Sequence, residues 1–170
     1  MKHLLLLFLS GIISYAAVNL KPVDADDSVT FVIKNFGLNT KGEFKGLSGN
    51  IKWDAANPAN ASFDVSVDVK TINTGIELRD KDLQNEKYFN TAKYPTINFK
   101  STAVKADNVT GNLTIKGVTK TISFPYTVTS SGKGFLFKGE FNINRRDFGV
   151  GGGGVLGDNV DVTLQVQANP

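Results

Sequence analysis

The sequence predicts an all-β protein, an antiparallel sheet closed into a barrel or folded into a sandwich. Three observations predict it. Apolar and polar residues alternate with a period of two through eight separate stretches, the mark of strands with one buried face. Turn-forming clusters (ANPAN, ADN, KG, SSGKG, GGGG) separate those stretches. No helix-length segments alternate with them, so the connections are mostly short and the strands antiparallel.

The chain has 170 residues, room for one domain. Its start stands apart. Lys2 and His3 precede the apolar run LLLLFLSGII, and the small residues SYAA follow. This is the layout of a secretory signal peptide, and the run is shorter than the roughly 20 apolar residues that span a bilayer. The expected division is a signal peptide over residues 1–17 and a single β-domain over 18–170, placed in the periplasm or secreted.

Cleavage there removes the only histidine, His3, and the chain has no cysteine. Cys or His nucleophiles, a Ser-His-Asp triad, disulfides and the usual zinc, copper or haem ligands are then excluded. The core alone must hold the fold, and about 150 residues suffice, burying about 70% of the unfolded surface. The net charge of +3 is too mild and too evenly spread to argue for nucleic acid.

The strands follow in order. VTFVI aligns Val29, Phe31 and Ile33, and LSGNIKW aligns Leu47, Ile51 and Trp53. SFDVSVDVK aligns Phe63, Val65, Val67 and Val69 against Asp64, Ser66 and Asp68. TINFKSTA gives Ile97, Phe99 and Ala103, and NVTGNLTI gives Val109, Leu113 and Ile115. VTKTISFPYTV aligns Val118, Ile122, Phe124, Tyr126 and Val128, with Lys120 as the exception. GFLFKGEFNI aligns Phe135, Phe137, Phe141 and Ile143, and NVDVTLQVQA aligns Val160, Val162, Leu164, Val166 and Ala168. Gly49, Gly111 and Gly139 stand in register with apolar faces. They mark bends or bulges, or they leave room in a lumen.

One segment, from Thr71 to Pro95, does not alternate. Thr74 and Glu77 form a T-x-x-E capping box, which predicts a helix from about Gly75 to about Asn85. Ile76 and Leu83 share one face of it, and Tyr88 and Phe89 follow. A short helix between two strands of a barrel must lie across an end or a side, as a lid.

GVGGGG (Gly149–Gly154) satisfies G-x-G-x-x-G. A dinucleotide site needs a helix after the glycines and an acidic residue about 20 positions on. Here a strand pattern follows and the chain ends first, so the match is accidental and the stretch is a loop. SSGK and DADDS fail their motifs similarly: the first lies in a turn, and the second lacks the glycine and glutamate of a calcium loop.

Lysine supplies the generic surface charge, sixteen against three arginines. Arg79 lies on the helix, and Arg145 and Arg146 open the last loop. Aspartates accompany both groups. Arginine suits planar pairing with carboxylate or phosphate. The expectation is that Arg79 pairs with Asp147, or Arg145 with Asp80, to latch the lid, and that the remaining arginine faces an anionic head group.

The stretches VDADDSVTFVIKNFG, GLSGNIKWD, ELRDKDLQNEKYFNTAKYPTINFKST, GNLTIKGVTKTISF and INRRDFGV together resemble the YceI-like family of polyisoprenoid-binding, lipocalin-like proteins. The resemblance runs from about Val23 to Ala168. It implies an extended eight-stranded antiparallel barrel with a short lid helix inserted between strands. It implies a polyisoprenoid or fatty acid derivative enclosed in an apolar tunnel, with no cofactor, metal or catalytic residue. The tunnel residues, chosen by alternation, are Phe31, Ile33, Phe63, Val65, Val67, Phe99 and Phe141. By motif the lid is Arg79, Asp80, Leu83, Tyr88 and Phe89, and the rim is Asn144, Arg145, Asp147 and Phe148. Many relatives carry a histidine where this chain has Asp82 and a Phe pair in place of Tyr88-Phe89, so the head-group contact differs. The expected partner is the lipid, with a homodimer left open and with no nucleic acid or integral membrane span. The competing readings are a ligand-free structural or adhesive β-domain, a carboxylate hydrolase and a small outer-membrane barrel.

Overall fold

The computed structural model describes residues 17–170. The expected signal peptide lies outside the described residues except for Ala17. The strands are β1 (Val18–Pro22), β2 (Val29–Asn35), β3 (Leu38–Trp53), β4 (Ser62–Asn73), β5 (Thr96–Val104), β6 (Asn108–Ile115), β7 (Val118–Ser131), β8 (Gly134–Asn144) and β9 (Leu156–Asn169). They pair antiparallel in the order β3-β2-β9-β8-β7-β6-β5-β4, and β4 pairs back onto β3. This is a closed eight-stranded barrel. Closure removes exposed sheet edges and leaves an interior of a size that side chains or one small ligand can fill.

Each alternating stretch is one of β2 to β9. Two pieces of sheet carry no such signal. The first half of β3, LNTKGEFKG, has Thr40 and Gly42 where the inward face expects large apolar residues. The five-residue β1 buries only Leu20, yet that side chain is 1% exposed. β1 pairs with Ile51 of β3 and Ala168 of β9, covering the gap between them beyond the start of β2.

The up-and-down order sorts the connections. At one end, called the mouth, lie the β2–β3 turn at Phe36-Gly37, the long β4–β5 connection, the β6–β7 turn at Lys116-Gly117 and the β8–β9 loop. The far end is shut by an aromatic cluster. Trp53 packs edge-on against Phe137 (centroids 5.4 Å apart) and Tyr126 (6.2 Å), and Phe63 does the same (5.5 and 6.0 Å). Edge-to-face pairs add about 0.5–1.5 kcal/mol each beyond area burial, and the Tyr126 hydroxyl is satisfied by donating to the Lys105 carbonyl at 2.7 Å.

The glycines on the apolar faces are occupied, not open. Gly49 has φ +128 and lies against the backbone of Asp64 and Val65, next to a register shift between β3 and β4. Gly111 lies under the Phe99 ring and Gly139 under the Phe124 ring. A large ring laid across a neighbouring glycine lets strongly curved strands approach. So the glycines bend the barrel, and the room beside them goes to aromatic rings.

The lid helix is shorter than expected. α1 spans Glu77–Leu83, and Ile76 is its N-cap with no side-chain cap bond. The capping box does not form because Thr74 and Glu77 have other partners. The Thr74 hydroxyl bonds Asp80 and accepts from Arg79, and Glu77 pairs with Lys81 at 2.7 Å. Ile76 is not on the inward face with Leu83; it is 53% exposed.

Candidate ligand cavity

The inward face of the upper barrel is apolar because the sequence alternates, and the strands curve around an elongated space. A cavity of about 220 Å³ opens toward the mouth. A smaller one of about 70 Å³ continues toward the aromatic base. Leu47, Val65, Phe99, Phe124, Leu164 and Val166 line both, so they form the waist between two chambers of one tunnel. Phe124 and Phe141 stack there with centroids 4.6 Å apart.

Of the tunnel residues read from alternation, Phe31, Ile33, Val65, Val67, Phe99 and Phe141 line the upper chamber. Phe63 and Val65 line the lower one. Sequence reasoning did not single out Phe44, Leu47, Phe124, Val160 or Val162, which also line it. Phe44 lies in the half of β3 that carries no alternation signal; the others stand on clearly alternating stretches, but alternation does not tell tunnel wall from packed core.

Polar side chains gather where the strands end. Asn35, Thr40, Thr74, Arg79 and Arg145 line the mouth. Leu83, Tyr88 and Phe89 close it from the β4–β5 connection, with Phe89 edge-on to Phe44 at 5.7 Å. Asp80 does not line the cavity. Its carboxylate accepts from the Thr74 amide at 2.9 Å and so ties the helix to the end of β4.

The arginine latch does not exist. Arg145 is 3% exposed and is spent inside its own loop. Nε donates to the Gly157 carbonyl (2.7 Å) and Nη1 to Val150 (2.6 Å). Nη2 donates to Gly152 (3.0 Å), Leu156 (2.9 Å) and the Asp158 carboxylate (3.1 Å). A planar guanidinium with five N–H groups can gather a whole loop this way. Arg79 turns to Thr74 instead of Asp147, with Nε to the hydroxyl and Nη2 to the carbonyl, both at 2.7 Å. A charge pair between the two segments fails because each arginine finds carbonyls within its own segment first. Arg79 has no carboxylate partner among the described residues, and it stands half-buried at the mouth.

The remaining rim residues have structural roles. Asn144 accepts from the Arg146 amide at 2.9 Å and caps the 3-10 turn Arg145–Phe148. Phe148 is 2% exposed and packs with Leu113, Ile115 and Val150, outside the cavity wall. Asp147 is exposed and lines nothing. The glycine run forms the loop into β9, with Gly149, Gly151 and Gly154 at positive φ. No helix follows it, as the failed fingerprint predicts.

Fold and cavity together define a class: closed antiparallel β-barrels with an apolar interior tunnel that opens at one end. Residues 21–168 match the model of the YceI-like domain, and the chain belongs to the YceI-like family. It is 36% identical over 141 residues to a UPF0312 protein of Pseudomonas putida (strain W619), covering 74% of this chain and 71% of that protein. It is 34% identical over 133 residues to protein YceI of Escherichia coli (strain UMN026), covering 72% and 70%. Among solved structures it resembles Burkholderia cenocepacia BcnA, with TM-score 0.76 and 31% identity over 81% of this chain and 93% of that one. A structure from Saccharophagus degradans described as a polyisoprenoid binding domain shares the fold, with TM-score 0.69 and 16% identity over 91% and 99%.

Proposed function

We propose that this protein is an extracytoplasmic, non-catalytic carrier that encloses the chain of a long amphiphile, a polyisoprenoid or a fatty acid derivative. One observation carries the reading: an apolar two-chambered tunnel with Asn35, Thr40, Thr74, Arg79 and Arg145 gathered at its mouth. An apolar tail desolvates along such a wall at about 25 cal/mol per Å² without directional bonds. Length and head group therefore set selectivity. The head group rests at Arg79, whose charge has no carboxylate partner among the described residues. The description of the Saccharophagus degradans relative as polyisoprenoid-binding supports the chemical class of the tail.

Two sequence facts support a binding role over an enzymatic one. There is no cysteine, and the only histidine is His3. Among the described residues no group of three His, Cys, Asp or Glu side chains could hold a metal ion. The extracytoplasmic placement rests on the signal-peptide pattern of residues 1–17.

The test is to purify the protein from its own host without detergent, extract it with organic solvent and analyse the extract by mass spectrometry. A stoichiometric isoprenoid or fatty-acyl species is the expected result. An empty extract, with no thermal shift on adding polyprenols or fatty acids, would leave a ligand-free β-domain as the better account.

A further inference from the structure

The mouth of the barrel is greasy on its outside as well as its inside. Five large apolar side chains of the described residues are more than half exposed: Leu78 (80%), Leu38 (74%), Phe36 (73%), Ile76 (53%) and Val155 (52%). All five stand at the mouth. Phe36 and Leu38 form the tip of the β2–β3 hairpin, and the Phe36 amide donates to the Val155 carbonyl at 3.0 Å, which joins the last loop to it. Ile76 and Leu78 lie on the lid across the opening, beside Thr74 and Arg79 of the cavity wall. Single exposed apolar residues need no explanation, but five gathered at the end where a tunnel opens do.

The hairpin tip also breaks a local rule. Phe36 has φ +51 and Gly37 φ +78, the backbone of a two-residue turn that favours Asn-Gly. An aromatic residue is costly there. The β6–β7 turn has the same backbone, with φ +50 at Lys116 and +76 at Gly117. There the odd residue has contacts: the Lys116 ammonium donates to the carbonyls of Gly149 (2.9 Å) and Lys87 (3.3 Å). Phe36 is turned out to solvent instead. The outer part of the hairpin, from Val29 to Lys41, has charge of one sign only. Lys34 and Lys41 flank the tip, both exposed, and no acidic residue occurs between Ser28 and Gly42.

We infer that the mouth docks on an anionic lipid bilayer, with Phe36 and Leu38 inserted at the interface and Lys34 and Lys41 on the head groups. Aromatic and aliphatic tips flanked by lysine fit that boundary. Docking would set the tunnel opening against the membrane, so an apolar tail could pass between them without crossing water.

The test is vesicle flotation. The protein, as its host processes it, is floated with vesicles of phosphatidylcholine alone or mixed equally with phosphatidylglycerol. The expected result is co-flotation with the mixed vesicles, weakened by salt. Phe36→Asp combined with Leu38→Asp should cut the bound fraction at least tenfold, and Val23→Asp at the far end should not change it. Lys34→Gln and Lys41→Gln should each weaken binding about fivefold, what one basic residue near an anionic surface is worth. Phe36→Asn guards against a folding artefact: it should raise the melting temperature while lowering flotation. Absence of wild-type flotation, or flotation unaffected by these tip variants, overturns the inference. So does a dimer in solution that the tip variants dissolve, since the patch then belongs to a second copy. Lipid content is read separately by extraction. Loss of flotation with the extracted lipid unchanged supports docking and leaves the carrier reading standing. An empty tunnel with flotation retained removes the carrier reading and leaves docking.

Discussion

The Phe99 ring lies over Gly111 of the neighbouring strand, so near that a Cβ on Gly111 would stand 2.5 Å from the ring's Cζ and 2.6 Å from the Lys100 carbonyl oxygen. Gly111→Ala therefore has to displace the ring, the strand or both. We expect a loss of about 1–3 kcal/mol, the usual cost of overpacking, read by urea denaturation. Combining it with Phe99→Leu should recover part of the loss. A neutral Gly111→Ala would show that the ring is not held there.

Arg145 organises the loop from Val150 to Asp158 through four carbonyls and one carboxylate. Lysine keeps the charge but not the fork of donors. Each buried acceptor left unpaired costs about 1–3 kcal/mol. Arg145→Lys should thus destabilise the protein by about 3 kcal/mol or more. Faster amide exchange should appear first across residues 150–158, and an unchanged exchange pattern would contradict the arrangement.

Val65 stands at the waist where the two chambers join. Val65→Phe should sever the lower chamber at a stability cost of about 1–3 kcal/mol. Short-chain amphiphiles should still bind and long-chain ones should weaken, measured by competition between two chain lengths. Equal weakening of both would place the tail elsewhere.

Arg79 brings its guanidinium to the mouth with no carboxylate partner among the described residues. Arg79→Met should weaken a carboxylate- or phosphate-headed amphiphile about tenfold, since a hydrogen bond to a charged group is worth about 1.5–3 kcal/mol. The alcohol of the same chain should bind unchanged. If the alcohol loses as much affinity, Arg79 shapes the mouth and does not read the head group.

Asp54 closes the β3–β4 connection at the far end. It accepts from the Asn60 side chain (3.1 Å) and from the amides of Asn57 (2.9 Å) and Ala56 (3.1 Å). The Asn60 bond above all, then the Asn57 amide, holds the carboxyl below its ordinary range, against an opposing push from burial. A depressed folded-state value means stability present above the unfolded value and lost as pH falls through the folded one. Asp54→Asn should lower the melting temperature at neutral pH, and the gap to wild type should close at acid pH below about 4. A gap independent of pH would remove the charge from the explanation.

The sequence by itself determined the antiparallel all-β class, while closure into a barrel was decided by the pairing of β4 back onto β3. Period-two alternation in β2 to β9 is a local property, because a strand must present every second side chain to the core. The same alternation placed Phe31, Ile33, Phe63, Val65, Val67, Phe99 and Phe141 on the inward face. Only the tertiary structure decided which inward residues border space and which meet a neighbour, since that depends on rings from adjacent strands. Phe99 over Gly111 and Phe124 over Gly139 are such cases. The arginines show the same limit. Spacing could suggest that Arg145 and Asp80 share an end of the barrel, but the partner is settled by which acceptors the folded loop brings within 3 Å. For Arg145 these are mainly the carbonyls of its own loop, and backbone carbonyls carry no sequence signal.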